Sequence, residues 1–232
     1  MAEAYVFAPP QPPSVPVVGG GLFPVRRVFC IGRNYADHVR EMGGDPKADP
    51  PVFFTKPADA VVESGSVIPY ALGTSNLHFE GELVVALKQG GSCLASAQEA
   101  AELVFGHACG CDLTRRDLQA AAKNAGGPWD SAKAFDDSAP IGPIAPLTPQ
   151  SAEELSTARL RLSVNGEERQ NAALGSMIWT VPEILIELSK LFRLEAGDLV
   201  FTGTPEGVGA LVAGDAVTVE IGALPPLNFS LA

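Results

Sequence analysis

The sequence predicts an α+β fold, a single β-rich unit with mixed strands and a few peripheral helices. Three observations carry that expectation. The 232 residues include 24 glycines and 20 prolines, which break the chain into many turns. The apolar runs are of strand length and are bounded by Gly, Pro, Asn or Asp. Capped, helix-period stripes are few. Hydrophobic residues make up 46% of the chain and charged residues 19%, which excludes a disordered polymer. A chain of this length buries about 70% of its unfolded surface, enough for a core without disulfides or structural metal.

The elements follow in order. Residues 1–24 hold six prolines and the run Gly19-Gly20-Gly21, and read as an extended arm packed on the body, ahead of a single catalytic domain over 25–232. Residues 25–31 (VRRVFCI) read as a strand. The polar, glycine-containing stretch around 33–50 reads as a lid loop, with one or two helical turns from Asp37 to Met42. PVFFTKP (51–57) is a short strand, and ELVVALK (82–88) a buried one. Ser96 and Glu99 form a capping box that opens a helix ending near Gly106. HACGCDL (107–113) reads as a strand, and Thr114 to Asn124 as a helix stopped by Gly126-Gly127-Pro128. RLRLSVNGEER (159–169) alternates around Asn165-Gly166, the strongest short hairpin signal. Thr180, Pro182 and Glu183 start a helix whose stripe is Ile184, Leu185, Leu188, Leu191 and Phe192. DLVFT (198–202) and AVTVEI (216–221) are the last strands.

Net charge is −11 and the isoelectric point about 4.7. The absence of a basic footprint argues against nucleic acid and against an anionic membrane surface. No apolar run reaches membrane-spanning length, and the N-terminus lacks the features of a signal peptide. Cys30, Cys93, Cys109 and Cys111 form no CxxC and read as reduced, mostly buried thiols of a cytoplasmic protein. Neither a G-x-G-x-x-G fingerprint nor a P-loop is present, which argues against nucleotide binding, and without a G-x-S-x-G elbow a serine hydrolase has little support.

The chemistry concentrates around His78-Phe79-Glu80-Gly81-Glu82. On a strand, Glu80 and Glu82 share a face, and two close carboxylates leading into apolar LVVAL require a cation or a proton. Asp112, at the end of another apolar strand, completes a hard oxygen set suited to Mg²⁺ or Mn²⁺ rather than Zn²⁺. The plainer alternative has Glu80 facing solvent and Glu82 paired with a Lys or Arg. Arg116 and Gln119 lie three apart on the following helix and could clamp a carboxylate and a carbonyl, or could belong to a solvated helix face. His38 and Glu41, also three apart, could form a general base oriented by a carboxylate, or an exposed pair without a role. His78 is a candidate neighbour of the metal set, whereas His107 reads as a core histidine. Lys133 is either an anchor for an enolate or carboxylate or a surface ion pair. The turn TGTPEGVG (202–209) offers free backbone N–H groups and the Thr204 hydroxyl to a carboxylate.

In combination these pieces resemble the fumarylacetoacetate hydrolase family. The matching stretches are IGRNYADH (31–38), FFTKP (53–57), NLHFEGELVV (76–85), GCDLTRRDLQ (110–119), AKAFDDSAPIGP (132–143), VNGEERQ (164–170), MIWTVPEILIELS (177–189) and GDLVFTGTPEGVG (197–209). Within the family, the opening YVFAPPQPPSVPV and the run FPVRRVFCIGRNYADH look most like the bacterial branch that cleaves fumarylpyruvate in gentisate breakdown. The resemblance implies a mixed β-roll or sandwich of the family's C-terminal type, a divalent metal (usually Mg²⁺) and commonly a homodimer. It implies Glu80, Glu82 and Asp112 as metal ligands and His38 with Glu41 as the pair that activates water. Arg116, Gln119 and Lys133 match substrate-binding and oxyanion-stabilising positions, Thr204 matches the carboxylate-binding turn, and Arg33 and Tyr35, in the motif that leads into the lid helix, are further substrate-binding candidates. Phe79 stands where relatives often have a second histidine. The implied reaction is hydrolysis of a C–C bond in a small 2,4-diketo acid, fumarylpyruvate to fumarate and pyruvate. The metal set alone also suits other acylpyruvates, oxaloacetate decarboxylation, dienoate isomerisation, or a non-catalytic dicarboxylate-binding protein.

Overall fold

The computed structural model describes residues 5–35 and 50–232. The expected helical turns at Asp37–Met42, and with them His38 and Glu41, lie outside the described residues.

The architecture is a mixed, curled, sheet-rich fold with few helices, as the sequence predicts. The main sheet runs Val52–Lys56, Arg27–Gly32, Asp198–Phe201, Gly81–Leu87, Val104–Cys111, Ala139–Ile141, Val61–Glu63, with Ala145–Pro146 added beside Val104–Cys111. Two of its pairings are parallel: Asp198–Phe201 with Arg27–Gly32, and Ala139–Ile141 with Val61–Glu63. A second sheet runs Glu167–Ala173, Arg159–Val164, Ala216–Ile221, Leu227–Leu231, Val67–Ile68. A small sheet of Thr114–Arg115, Leu77–Phe79 and Gly209–Leu211 brackets the site.

Every residue of Gly81–Leu87 is buried, because both faces of the main sheet are covered. On one face, Val84 and Ala86 pack with Val28, Cys30, Ala108 and Phe201. On the other, Leu83 and Cys109 pack against Leu160, Leu162, Val217, Val219 and Phe229 of the second sheet. Farther along that face, Val85 and Leu87 meet Ile184, Leu185 and Leu188 of the helix Val181–Leu191. Each of those helix side chains is fully buried, worth about 1.5–3 kcal/mol apiece. Thr180 and Glu183 close the capping box that starts this helix.

Several boundaries differ from the sequence expectation. The arm packs on the body as expected, but not as one extended run: it forms the antiparallel pair Ser14–Pro16 and Leu22–Pro24, which seats Val15 and Phe23 in the core. The helix opened by Ser96 covers only Ala97–Glu102, because Val104 is already paired with Leu87 in the sheet. The helix expected from Thr114 begins at Arg116, since Thr114 and Arg115 pair with His78 and Leu77. Cys93 is exposed, while the other three cysteines are buried and all four are free. Among the described residues no helix is long and apolar enough to cross a membrane.

Candidate active site

The site sits where two adjacent strands of the main sheet end. Gly81 pairs with Cys111, so Glu80 and Glu82 flank one end of that rung and Asp112 follows the other. The Asp112 N–H donates to the Glu80 carbonyl at 2.8 Å and locks the two chains together. One oxygen from each of Glu80, Glu82 and Asp112 lies within 4.8 Å of the other two. All three are buried, at 6%, 1% and 0% exposure, so Glu80 does not face solvent as the plainer alternative required.

Two lysines and an arginine meet this charge, but unevenly. The buried Lys133 ammonium donates to Glu80 Oε2 at 2.7 Å, Asp112 Oδ2 at 2.6 Å and the Thr114 hydroxyl at 2.6 Å. Lys133 lies in the short helix Asp130–Lys133 rather than in a surface loop. Lys56 Nζ stands 2.8 Å from Asp112 Oδ1 as an ion pair and aims its hydrogen bonds at the carbonyls of Leu113 and Lys133. Arg116 donates to Glu80 Oε1 and to Gln119 Oε1. Burial opposes the charge on Glu80, yet Lys133 and Arg116 overcome it and hold its pKa down at about 2. Burial likewise opposes the charge on Lys133, and Asp112 and Glu80 outweigh it, pushing that pKa above the ordinary lysine value.

Glu82 is different. Among the described residues its carboxylate takes one hydrogen bond, from the Gly203 N–H at 2.7 Å, and no salt bridge. Burial, then Asp112 and Glu80, push its pKa well up. The cluster therefore has an unmet demand for positive charge at Glu82. Three convergent carboxylates are a hard donor set, so these residues fit one Mg²⁺- or Mn²⁺-like ion.

The remaining candidates divide. Gln119 is buried on the helix Arg116–Ala125; Arg116 holds its carbonyl oxygen, which leaves its amide N–H groups as donors. Arg116 is committed to Glu80 and Gln119. Thr204 is buried, and its Oγ1 accepts from Gln170 Nε2 at 2.8 Å, which frees the hydroxyl proton for another acceptor. The turn's N–H groups are not all free, because Gly203 spends its own on Glu82. Arg33, in the left-handed region at φ 61°, lines the same cleft as Glu80, Glu82, Gln119 and Thr204. Tyr35 is buried at the bridge to Met177 and does not line this cleft; burial and the charges of Glu82 and Glu206 push its hydroxyl pKa up. His78 Nε2 is 2.9 Å from Asn76 Oδ1, and burial and Arg116 lower its pKa to about 4. His107 is a buried histidine of the sheet, as the sequence suggests.

Three contributors escape sequence reasoning. Gln170 accepts from the Gly81 N–H at 2.9 Å and donates to Thr204 and to the Pro205 carbonyl, so it ties the carboxylate strand to the turn. Its one sequence signal is a polar residue at an inward position of an alternating strand. Lys56 signals itself only as a charge on the buried side of an apolar strand. Asn34 accepts from the Trp179 N–H and donates to the carbonyls of Trp179 and Thr202, fixing the chain ahead of the turn.

The cleft before the carboxylates holds about 20 Å³, room for one water-sized occupant. It shares Phe54, Trp129 and Lys133 with a neighbouring cleft of about 420 Å³. The arrangement thus offers a small polar centre beside a larger, aromatic-walled space.

Residues 27–232 match the family model described as fumarylacetoacetate (FAA) hydrolase C-terminal. The chain is 38% identical over 187 residues to a fumarylpyruvate hydrolase of a Ralstonia species, covering 81% of this chain and 95% of that protein. It is 40% identical over 199 residues to an oxaloacetate tautomerase of Escherichia coli strain K12, covering 85% and 89%. A crystal structure of fumarylpyruvate hydrolase from Pseudomonas aeruginosa, in complex with Mn²⁺ and pyruvate, superposes with a TM-score of 0.93 at 46% identity and 99% coverage of both chains. The chain belongs to the fumarylacetoacetate hydrolase family.

Proposed function

We propose that the protein hydrolyses the C–C bond of a 2,4-diketo acid, with fumarylpyruvate cleaved to fumarate and pyruvate. The observation that carries this reading is the convergence of Glu80, Glu82 and Asp112 within 4.8 Å, with no salt bridge to Glu82 among the described residues. The likeness to fumarylpyruvate hydrolases supports the substrate.

In this reading the three carboxylates hold Mg²⁺ or Mn²⁺. A divalent ion there supplies Lewis-acid polarisation of the bound 2-keto acid. The Thr204 hydroxyl and Arg33 orient the substrate's carboxylate. His38, oriented by Glu41, takes a proton from water as its oxygen bonds to C4. The Gln119 amide donates to the oxyanion that forms, while Lys133 supplies positive charge through Glu80 and Asp112. The C3–C4 bond then breaks, its electron pair leaves with the pyruvate fragment as an enolate, and a proton returns to C3. Arg116 and Gln170 act as positioning residues. The family resemblance also implies a homodimer, which light scattering on the purified chain tests.

The likeness to oxaloacetate tautomerases favours a second reading, keto–enol interconversion of oxaloacetate without cleavage. One absorbance panel separates them: fumarylpyruvate, acetylpyruvate, fumarylacetoacetate and oxaloacetate, each with Mg²⁺, Mn²⁺ or chelator. The proposal expects fumarate and pyruvate from fumarylpyruvate, loss with chelator, and recovery with either ion. His38→Ala should lower turnover about 10²- to 10⁴-fold. Oxaloacetate interconversion with no cleavage of any diketo acid overturns the hydrolase reading.

A further inference from the structure

A second cleft lies on the opposite face of the carboxylate strand. Leu83 points into it, one residue from Glu82 and therefore to the other side of the sheet. It holds about 430 Å³, within the range of small-molecule sites. Its walls come from the sheet and from the helices Ala97–Glu102, Pro149–Ser156 and Val181–Leu191, with Val104, Leu147, Leu155, Met177 and Leu185 prominent. Among the described residues no Asp, Glu, Lys or Arg lines it.

Among the described residues three polar side chains reach this cleft, and two are committed. The Ser156 hydroxyl donates to the Glu153 carbonyl, and the Thr180 hydroxyl donates to Glu183. The third, His107, is 8% exposed and faces the cleft, and among the described residues nothing hydrogen-bonds its ring. A neutral imidazole facing the cleft offers one donor and one acceptor to an occupant. Burial keeps it neutral, lowering its pKa to about 4. A charged ligand would meet no counter-charge here, so the cleft selects against one.

We propose that this cleft is a second binding site, for a small, uncharged, mainly apolar molecule bearing one hydroxyl that pairs with His107. It does not depend on the reaction assigned to the carboxylate site.

The probe is para-propylphenol, with propylbenzene and para-propylbenzoate as comparators, titrated by calorimetry and thermal melting of the full chain. The expected result is saturable binding of the phenol with a dissociation constant on the order of 0.1 mM and one site per chain. Propylbenzene should bind about five- to tenfold more weakly, and para-propylbenzoate should not compete. His107→Leu should abolish the preference for the phenol over propylbenzene. Ala152→Trp, at an exposed helix position on the rim, should fill the cleft and abolish binding without lowering the melting temperature. Absence of saturable binding by the wild-type chain overturns the proposal, as does binding that survives Ala152→Trp. A change of molar mass in Ala152→Trp, with no probe bound to wild type, would assign the cleft to a second copy of the chain instead.

Discussion

Glu82 and Lys56 are the two residues whose replacement should move stability in opposite directions. Glu82 is a buried carboxylate with, among the described residues, one backbone hydrogen bond and no salt bridge. Glu82→Gln removes its charge and keeps its shape, so it should raise metal-free stability by about 1–3 kcal/mol. The same variant should lose the extra stabilisation that Mg²⁺ or Mn²⁺ gives the wild type; thermal melts with chelator and with each ion read both effects. Lys56→Met should do the reverse, leaving Asp112 with Lys133 alone, and lower stability by about 3 kcal/mol in a urea titration. The carboxylates were legible from sequence, because Glu80 and Glu82 share strand parity and Asp112 ends an apolar run. Lys56 and Gln170 were not, because their partners lie between 34 and 89 residues away in the sequence, across strand pairings that no local pattern reveals.

At the scale of elements, the turn after Asp198–Phe201 shows why a glycine-rich run matters without binding a nucleotide. Gly203 sits at φ 91°, and a Cβ there would lie 2.7 Å from the Asn34 Cβ and 3.2 Å from the Ile31 carbonyl oxygen. Its N–H is also the only hydrogen bond to Glu82 among the described residues. Gly203→Ala should therefore cost about 2–4 kcal/mol and shift the turn away from Glu82. The measurement is denaturant unfolding alongside Mg²⁺ titration, and unchanged ion affinity with unchanged stability would contradict the role given to this turn. Elements with strong local signals were readable: the Asn165-Gly166 hairpin, the Thr180–Glu183 cap and the buried strand Gly81–Leu87. The helix Pro149–Ser156 was not, since it buries no residue and shows no sharp apolar stripe. Nor were Val61–Glu63 and Val67–Ile68, which are short and pair in parallel with strands far along the chain.

For the molecule as a whole, the buried histidine behind the sheet sets a pH dependence separable from the carboxylate site. In the folded chain the pKa of His107 is lowered by burial from 6.5 to about 4. Between those values the unfolded chain binds the proton and the folded chain does not, so unfolding takes up protons and stability rises with pH. Descending from pH 7 to about 4.5, His107 alone should cost about 2 kcal/mol, most of it below pH 6.5. Glu80 works in the same direction only at lower pH, from the ordinary carboxylate range down to about 2, because its ion pairs with Lys133 and Arg116 are lost as it protonates. His78, half-buried beside Arg116, adds a smaller, solvent-screened part in the histidine range. His107→Leu isolates the one component: its urea midpoint should change less between pH 7 and about 4.5 than that of wild type, by the equivalent of about 2 kcal/mol. Equal pH slopes in variant and wild type would mean that the imidazole titrates freely in the folded chain, and that the apolar walls around it do not exclude the charged form.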